Sequence, residues 1–236
     1  MVQEIYLIDE QPEIRETLKK IFKNENFKMK ILKVFFIMRY NIKEVIFMQE
    51  IKDRIYKDGV VIGENILKVD SFINHQIDTK LLDDIGAYLA SKFEGATKIL
   101  TIETSGIAFG ITVANHLGYL PLVFAKKSSS KVLDKTNVYQ TIVYSYTKET
   151  TNVVSVDKRF LSKNDKVLII DDFLAEGNAC LGLIDLCRQA GAEIVGIGIV
   201  IEKGFQGGRQ KILEQGIKLE SAVIVESFKN GKPILK

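Results

Sequence analysis

Residues 167–179 read VLIIDDFLAEGNA, and no other stretch limits the fold of this chain so tightly. Val167 to Asp171 is apolar until its last residue, without the alternation of a half-exposed strand, which predicts a central parallel strand buried on both faces. Two carboxylates, Asp171 and Asp172, stand at its carboxyl end. A turn of mostly small residues follows (Ala175, Glu176, Gly177, Asn178, Ala179), and a helical pattern then runs to Ala190, where Gly191 stops it. In open α/β sheets ligands bind outside the carboxyl ends of the strands. A helix amino terminus offers a phosphate free N–H groups and the positive end of a dipole. Acids beside such a cradle repel the phosphate itself; they suit hydroxyls, a metal, or a developing cation. The combination predicts a phosphorylated sugar, with the phosphate in the turn and ribose hydroxyls on the acids. Glu176 runs against this scheme, because its charge opposes a phosphate, and it is expected to point outward or to accept a hydroxyl.

From residue 81 onward helical and strand patterns alternate. Leu81–Phe93 carries apolar residues at helical spacing, Lys98–Ile102 reads as a strand, and Gly106–Leu117 as a helix closed by Gly118. Leu120–Ala125 and Ile194–Ile201 are further strands. Val138–Tyr146 alternates like a half-exposed strand, with Val153–Val156 as an antiparallel partner. Val60–Ile62 and Ile66–Phe72 read as strands behind a short helix that includes Ile51 and Ile55. Alternation of this kind means parallel pairing and right-handed crossovers, so the expected architecture is α/β, a doubly wound, mostly parallel sheet.

Composition narrows the function. A net charge of +3 over 236 residues gives a weak electrostatic case for nucleic acid. The apolar stretch Val34–Met38 ends at Arg39, far short of the roughly 20 residues that span a bilayer, and the start lacks the basic-then-apolar order of a signal peptide. Neither nucleic acid nor a membrane is expected as a partner. Cys180 and Cys187 lie on one predicted helix, about 10 Å apart along its axis, too far for a disulfide, and read as core thiols in a reducing cytoplasm. Two histidines, His75 and His116, do not make a zinc cluster or a histidine-based triad.

Residues 167–179 resemble the phosphoribosyl-diphosphate signature of the type I phosphoribosyltransferases. ILKVDSFINHQID (66–78), TIETSGIA (101–108) and GIGIVIEKGFQGGR (196–209) match in the same order and look like the xanthine-using bacterial members of that family. The resemblance runs from about Met48 to the C-terminus. It implies transfer of the 5-phosphoribosyl group from phosphoribosyl diphosphate to xanthine in purine salvage, by a cytoplasmic homodimer. Asp171 and Asp172 then take the catalytic role beside the ribose, and Ala175 to Ala179 hold the 5′-phosphate. Thr104, Ser105 and Gly106 receive pyrophosphate; without the resemblance they read as an ordinary capped turn, with Thr104 or Ser105 as the cap. Lys126 and Lys127 open a polar loop that closes over pyrophosphate in the family. Leu67, Asn74 and Lys203 carry over to the base, Lys203 at its 6-oxo group. Phe173 reads equally as a core residue or as a ring lying flat on the purine. Residues near 49–78 join the C-terminal residues in a small hood over the base. Magnesium is expected with phosphoribosyl diphosphate, held mainly by substrate oxygens and not by a metal site of the protein's own.

Two alternatives stand beside this reading. One is the same reaction with hypoxanthine and guanine. The other is a non-enzymatic regulator that senses phosphoribosyl diphosphate and binds DNA through an added domain. That regulator needs a basic added module, whereas residues 1–47 hold nine Lys+Arg against seven Asp+Glu. The opening IYLIDEQPEIRETLKKIF has a superficial likeness to the start of a receiver domain, but residues 20–47 supply no phosphoacceptor strand. The expected division is an N-terminal extension, 1–47, and a phosphoribosyltransferase domain with its hood, 48–236. Lys43-Glu44-Val45 can be encoded by a purine-rich ribosome-binding sequence ahead of Met48, so the extension is read as translated leader, with a real but loosely attached N-terminal extension as the alternative.

Overall fold

The structure, a computed structural model, describes residues 47–63, 65–127, 135–145 and 150–236. The expectations for the N-terminal extension, and for the loop that begins after Lys127, lie outside the described residues. Within the compact unit Met48–Lys236, the helix ending at residue 58 (α1) leads into a two-stranded hairpin, β1 (Val60–Ile62) and β2 (Ile66–Lys68). Then follow α2 (Thr79–Ser91), β3 (Lys98–Ile102), α3 (Gly106–His116), β4 (Leu122–Lys127), β5 (Val138–Ser145) and β6 (Thr150–Asp157). The last part holds β7 (Lys166–Leu174), α4 (Asn178–Ala190), β8 (Glu193–Lys203), α5 (Gly208–Leu213), β9 (Leu219–Lys229) and β10 (Lys232–Leu235).

Local chemistry accounts for the helices. In α2, Leu81, Ile85 and Leu89 recur every fourth residue on one buried stripe, and the Asp78 carboxylate caps the amino end by accepting from the Leu81 N–H. Helix α4 stops at Gly191, whose left-handed φ of 70° lets the chain turn away.

Eight strands form one sheet in the order β10-β9-β8-β7-β3-β4-β6-β5. The run from β9 to β4 is parallel throughout. Antiparallel β10 closes one edge, and the β5–β6 hairpin extends the other. This is the doubly wound, mostly parallel sheet expected from the alternation. Helix α4 buries Leu183, Ile184 and Cys187 against Leu100, Ile169, Ile197 and Ile199 on one face. On the other face Leu89 and Phe93 lie over Gly198, where a side chain would come within 2.8 Å of Ile170. Between β3 and β7 the direction of winding reverses, since β3 leads outward to β4 while β7 leads the other way to β8 and β9. A crevice opens at the carboxyl ends of strands where such a reversal occurs.

Several boundaries differ from the sequence reading. Strand β7 runs past the acids to Leu174, because Asp171, Phe173 and Leu174 still pair with Ile199, Ile201 and Glu202 of β8. Ile66–Phe72 is not one strand: after Lys68 the chain makes a single wide helical turn, Asp70–Asn74. Phe72 and Ile73 are consecutive and both buried, which a strand facing one core cannot provide. The strand expected at Leu120–Ala125 lies at Leu122–Lys127. The sequence reading did not assign α5, β9 or β10; the last two are joined by a tight turn with positive φ at Asn230 and Gly231. Both cysteines are free and buried on α4. Among the described residues no helix is long and apolar enough to cross a membrane.

Candidate functional site

The reversal point is occupied by a cleft of about 280 Å³, lined by residues 102–106 after β3, residues 171–180 from β7 into α4, and Lys127 and Tyr144 from the flanking strands. Two helix amino termini therefore open into one space. Neither is capped by a side chain. Gly177 stands at the N-cap of α4 with φ 85°, a left-handed conformation that disfavours any residue with a Cβ. Ser105 stands at the N-cap of α3, yet neither it nor Thr104 supplies the side-chain cap that an ordinary turn would use. Both ends thus keep backbone N–H groups for an anion, and 13-residue α4 aligns its dipole with the turn 175–179.

Across from these termini lie the two acids. Asp171 is buried to 4 % exposure, whereas Asp172 is half-buried beside it. Successive backbone amides orient them: the Asp172 N–H donates to Asp171 Oδ1 at 3.0 Å, and the Phe173 N–H to Asp172 Oδ1 at 3.0 Å. Burial drives the Asp171 carboxyl well above its ordinary value; the charge of Asp172 adds to the rise and Lys127 opposes it. Gly106 is required at the floor, because a Cβ there would stand 2.2 Å from the Thr101 hydroxyl and 3.2 Å from Asp171 Oδ1. The Glu103–Thr104 peptide bond is cis. The Glu103 carboxylate accepts from the Lys127 backbone N–H, tying the β3 loop to the end of β4.

The site residues read from the sequence are only partly brought together. Asp171, Asp172, Phe173, Thr104, Ser105, Gly106 and residues 175–179 all line the cleft. Lys126 does not; its neighbour Lys127 does, as expected of adjacent residues on one strand. Lys126 is exposed, with its ammonium 6.0 Å from the Phe124 ring. Lys203, at the end of β8, donates to the Asn65 carbonyl at 2.7 Å and so meets the turn of the β1–β2 hairpin. Burial alone depresses its ammonium below the ordinary lysine value. Leu67 is buried on that hairpin, and Asn74 is exposed at the end of the wide turn. Phe173 is half-buried on the cleft wall, which leaves its ring available.

Glu176 is part-exposed, and its partner is an ammonium rather than a hydroxyl. Its carboxylate pairs with Lys211 of α5, Nζ to Oε2 at 2.8 Å. Sequence reasoning missed this partner, 35 residues away. It also missed Tyr144, whose carbonyl accepts from Asn178 Nδ2 at 3.1 Å and fastens the turn to β5. The alternating pattern of β5 gave a signal for a strand but none for its place beside the cleft.

A family model described as the phosphoribosyl transferase domain matches residues 74–229. The xanthine phosphoribosyltransferase of Clostridium novyi (strain NT) is 53% identical over 191 residues, covering 80% of this chain and 100% of that protein. That of Laribacter hongkongensis (strain HLHK9) is 51% identical over 187 residues, covering 78% of this chain and 98% of its own. Among solved structures, the APRTase of Giardia lamblia complexed with 9-deazaadenine is similar at 27% identity and a TM-score of 0.58, covering 67% of this chain and 86% of that one. The adenine phosphoribosyltransferase of Rhodothermus marinus reaches a TM-score of 0.62 at 21% identity over 77% of this chain and 99% of its own, a likeness of fold alone.

Proposed function

Since the chain belongs to the phosphoribosyl transferase family, we propose that it transfers the 5-phosphoribosyl group from phosphoribosyl diphosphate to xanthine, giving xanthosine 5′-monophosphate and pyrophosphate. It is an enzyme of purine salvage. The observation that carries this reading is the run of two acids into an uncapped helix amino terminus, facing a second such terminus across one cleft. One donor molecule carries the three groups these parts suit. Its 5′-phosphate fits the turn 175–179, its ribose hydroxyls fit Asp171 and Asp172, and its pyrophosphate fits Thr104, Ser105 and Gly106. The bond from the anomeric carbon to pyrophosphate breaks, and its electron pair leaves with pyrophosphate. A ring nitrogen of xanthine then bonds to that carbon and gives up its proton. Negative charge held beside the ribose stabilises the cationic sugar more than the ground state. Proximity and orientation within the cleft supply much of the rest.

Among the described residues no group of three His, Cys, Asp or Glu side chains converges as a metal site. Asp171 and Asp172 are the acids that would stand beside a magnesium ion carried by the donor, which would supply neutralisation of phosphate charge. Lys203, Leu67 and Asn74 are the residues proposed for the base, with Phe173 against its face. Lys126, at the end of β4 where the polar loop begins, is proposed to serve the pyrophosphate. Residues 48–236 are the proposed catalytic domain, with residues 49–78 and the C-terminal residues as its hood. The reaction belongs in the cytoplasm, where phosphorylated substrates are retained.

Steady-state turnover of xanthine with phosphoribosyl diphosphate and magnesium tests the reading. Product with the absorbance and mass of xanthosine 5′-monophosphate is expected, and no transfer to xanthine would refute it. A homodimer is also proposed, a closed two-fold pair being the commonest soluble assembly. Sedimentation at micromolar concentration is expected to give twice the mass of one chain; a single-chain mass would refute it.

A further inference from the structure

We propose that Lys211 is a positioning residue for phosphoribosyl-diphosphate binding: it cancels the one charge in the turn 175–179 that opposes a phosphate, and it clamps that turn to α5. The inference rests on the reading of this turn as the 5′-phosphate site. Lys211 Nζ donates to Glu176 twice, to Oε2 at 2.8 Å and to the backbone carbonyl at 3.0 Å, so it fixes both the side chain and the peptide. One turn earlier, the Gly208 N–H donates to the Ala175 carbonyl at 3.0 Å. The approach is so close that both facing residues must lack a side chain. A Cβ on Gly208 would stand 2.3 Å from the Ala175 oxygen, and one on Gly177 would stand 3.1 Å from the Gly208 Cα.

Helix α5 is itself anchored. Ile212 is fully buried in the core shared with α4. Arg209 grips Glu202 with two donors, at 2.6 and 2.5 Å, and Glu202 is 1 % exposed and also accepts from Ser221. The turn therefore rests on β8 and β9 through a short rigid piece. Without Lys211 the Glu176 carboxylate would face the incoming phosphate unopposed. The pair is part-exposed, with side chains at 42% and 31%, so solvent screens the repulsion but does not remove it.

The test uses the full chain with Lys211→Met and with Lys211→Met combined with Glu176→Gln. Three quantities are read: KM and kcat for phosphoribosyl diphosphate, the inhibition constant of ribose 5-phosphate, and that of pyrophosphate. Lys211→Met is expected to raise KM and the ribose 5-phosphate constant about tenfold, with kcat and the pyrophosphate constant changed by less than about twofold. Removing both charges should restore most of the lost affinity, to within about threefold of wild type. Unchanged ribose 5-phosphate binding in Lys211→Met would overturn the proposal. So would equal weakening of pyrophosphate, which signals general damage. A double variant as weak as the single one would also overturn it, because Lys211 would then act on the phosphate itself. Competition of ribose 5-phosphate with the donor in the wild-type enzyme tests the underlying reading separately: its absence sinks both, whereas its presence with a silent Lys211→Met sinks only the inference.

Discussion

Replacing Asp171 and Asp172 together by asparagine is expected to lower kcat by about a thousandfold, the scale seen when preorganised charge is removed from a transition state. Product binding should weaken much less, because asparagine keeps most of the hydrogen bonding and loses only the charge. The structure shows why the charge is poised for the transition state. Burial first and then the charge of Asp172 drive the Asp171 carboxyl well above its ordinary value, so ionisation of Asp171 meets resistance from its surroundings. A cationic sugar relieves that resistance when it forms, which makes the interaction larger in the transition state than before it. The sign for stability follows. A carboxyl whose folded value is raised favours the folded state most below its unfolded value, and that contribution is lost as pH rises through the folded value. At neutral pH the Asp171→Asn protein is therefore expected to melt above wild type, the gap closing as pH falls toward the ordinary carboxylate range. Steady-state kinetics and thermal melts across pH check both halves. Turnover of the double variant within about tenfold of wild type would sink the catalytic assignment.

What could be read in the sequence was whatever depends on neighbours along the chain. The apolar run before Asp171, the small residues of the turn and the stop at Gly191 are local, and they set the start of β7 and the span of α4 to within a residue. Lys98–Ile102 was found for the same reason. The carboxyl end of β7 lies three residues beyond Asp171, although charge in a sequence suggests the end of a buried strand. The ladder to β8 continues through Asp171 and Phe173, since the strand here carries its acids on the cleft while its backbone stays paired. Ile66–Phe72 misled in the opposite way: its apolar content fits a strand, but consecutive burial of Phe72 and Ile73 needs a helical turn. The partner of Glu176 was out of reach altogether. Nothing near residue 211 marks it as an ion-pair partner, and only the close approach of Gly208 to Gly177 brings it there. Gly208 and Arg209 stand in GIGIVIEKGFQGGR and Gly177 in the turn after the acids, but their physical purpose is tertiary.

Adenine is expected to be used at least about a hundredfold less efficiently than xanthine, as kcat/KM, because Lys203 can only donate. The fold does not choose the base, since one α/β scaffold serves several purines; the choice belongs to a few side chains. Lys203 comes off the end of β8 half-buried, and its ammonium donates to the Asn65 carbonyl at 2.7 Å. Xanthine offers an oxygen in exchange, so one acceptor replaces another. Adenine offers an amino group, and an ammonium that has left Asn65 and is covered by the base would then face another donor, at a cost of about 1–3 kcal/mol. The same residue sets an alkaline limit. Burial depresses its ammonium below the ordinary value of 10.5, so the donor is lost earlier as pH rises. The kcat/KM for xanthine should accordingly fall on a limb that begins below that value, and Lys203→Met should lower kcat/KM at neutral pH and flatten the limb. Initial rates with xanthine, hypoxanthine, guanine and adenine at fixed phosphoribosyl diphosphate, repeated across alkaline pH for wild type and variant, measure all of this. Comparable kcat/KM for adenine and xanthine would remove Lys203 from the base site, and an unchanged limb in the variant would assign the titration to another group.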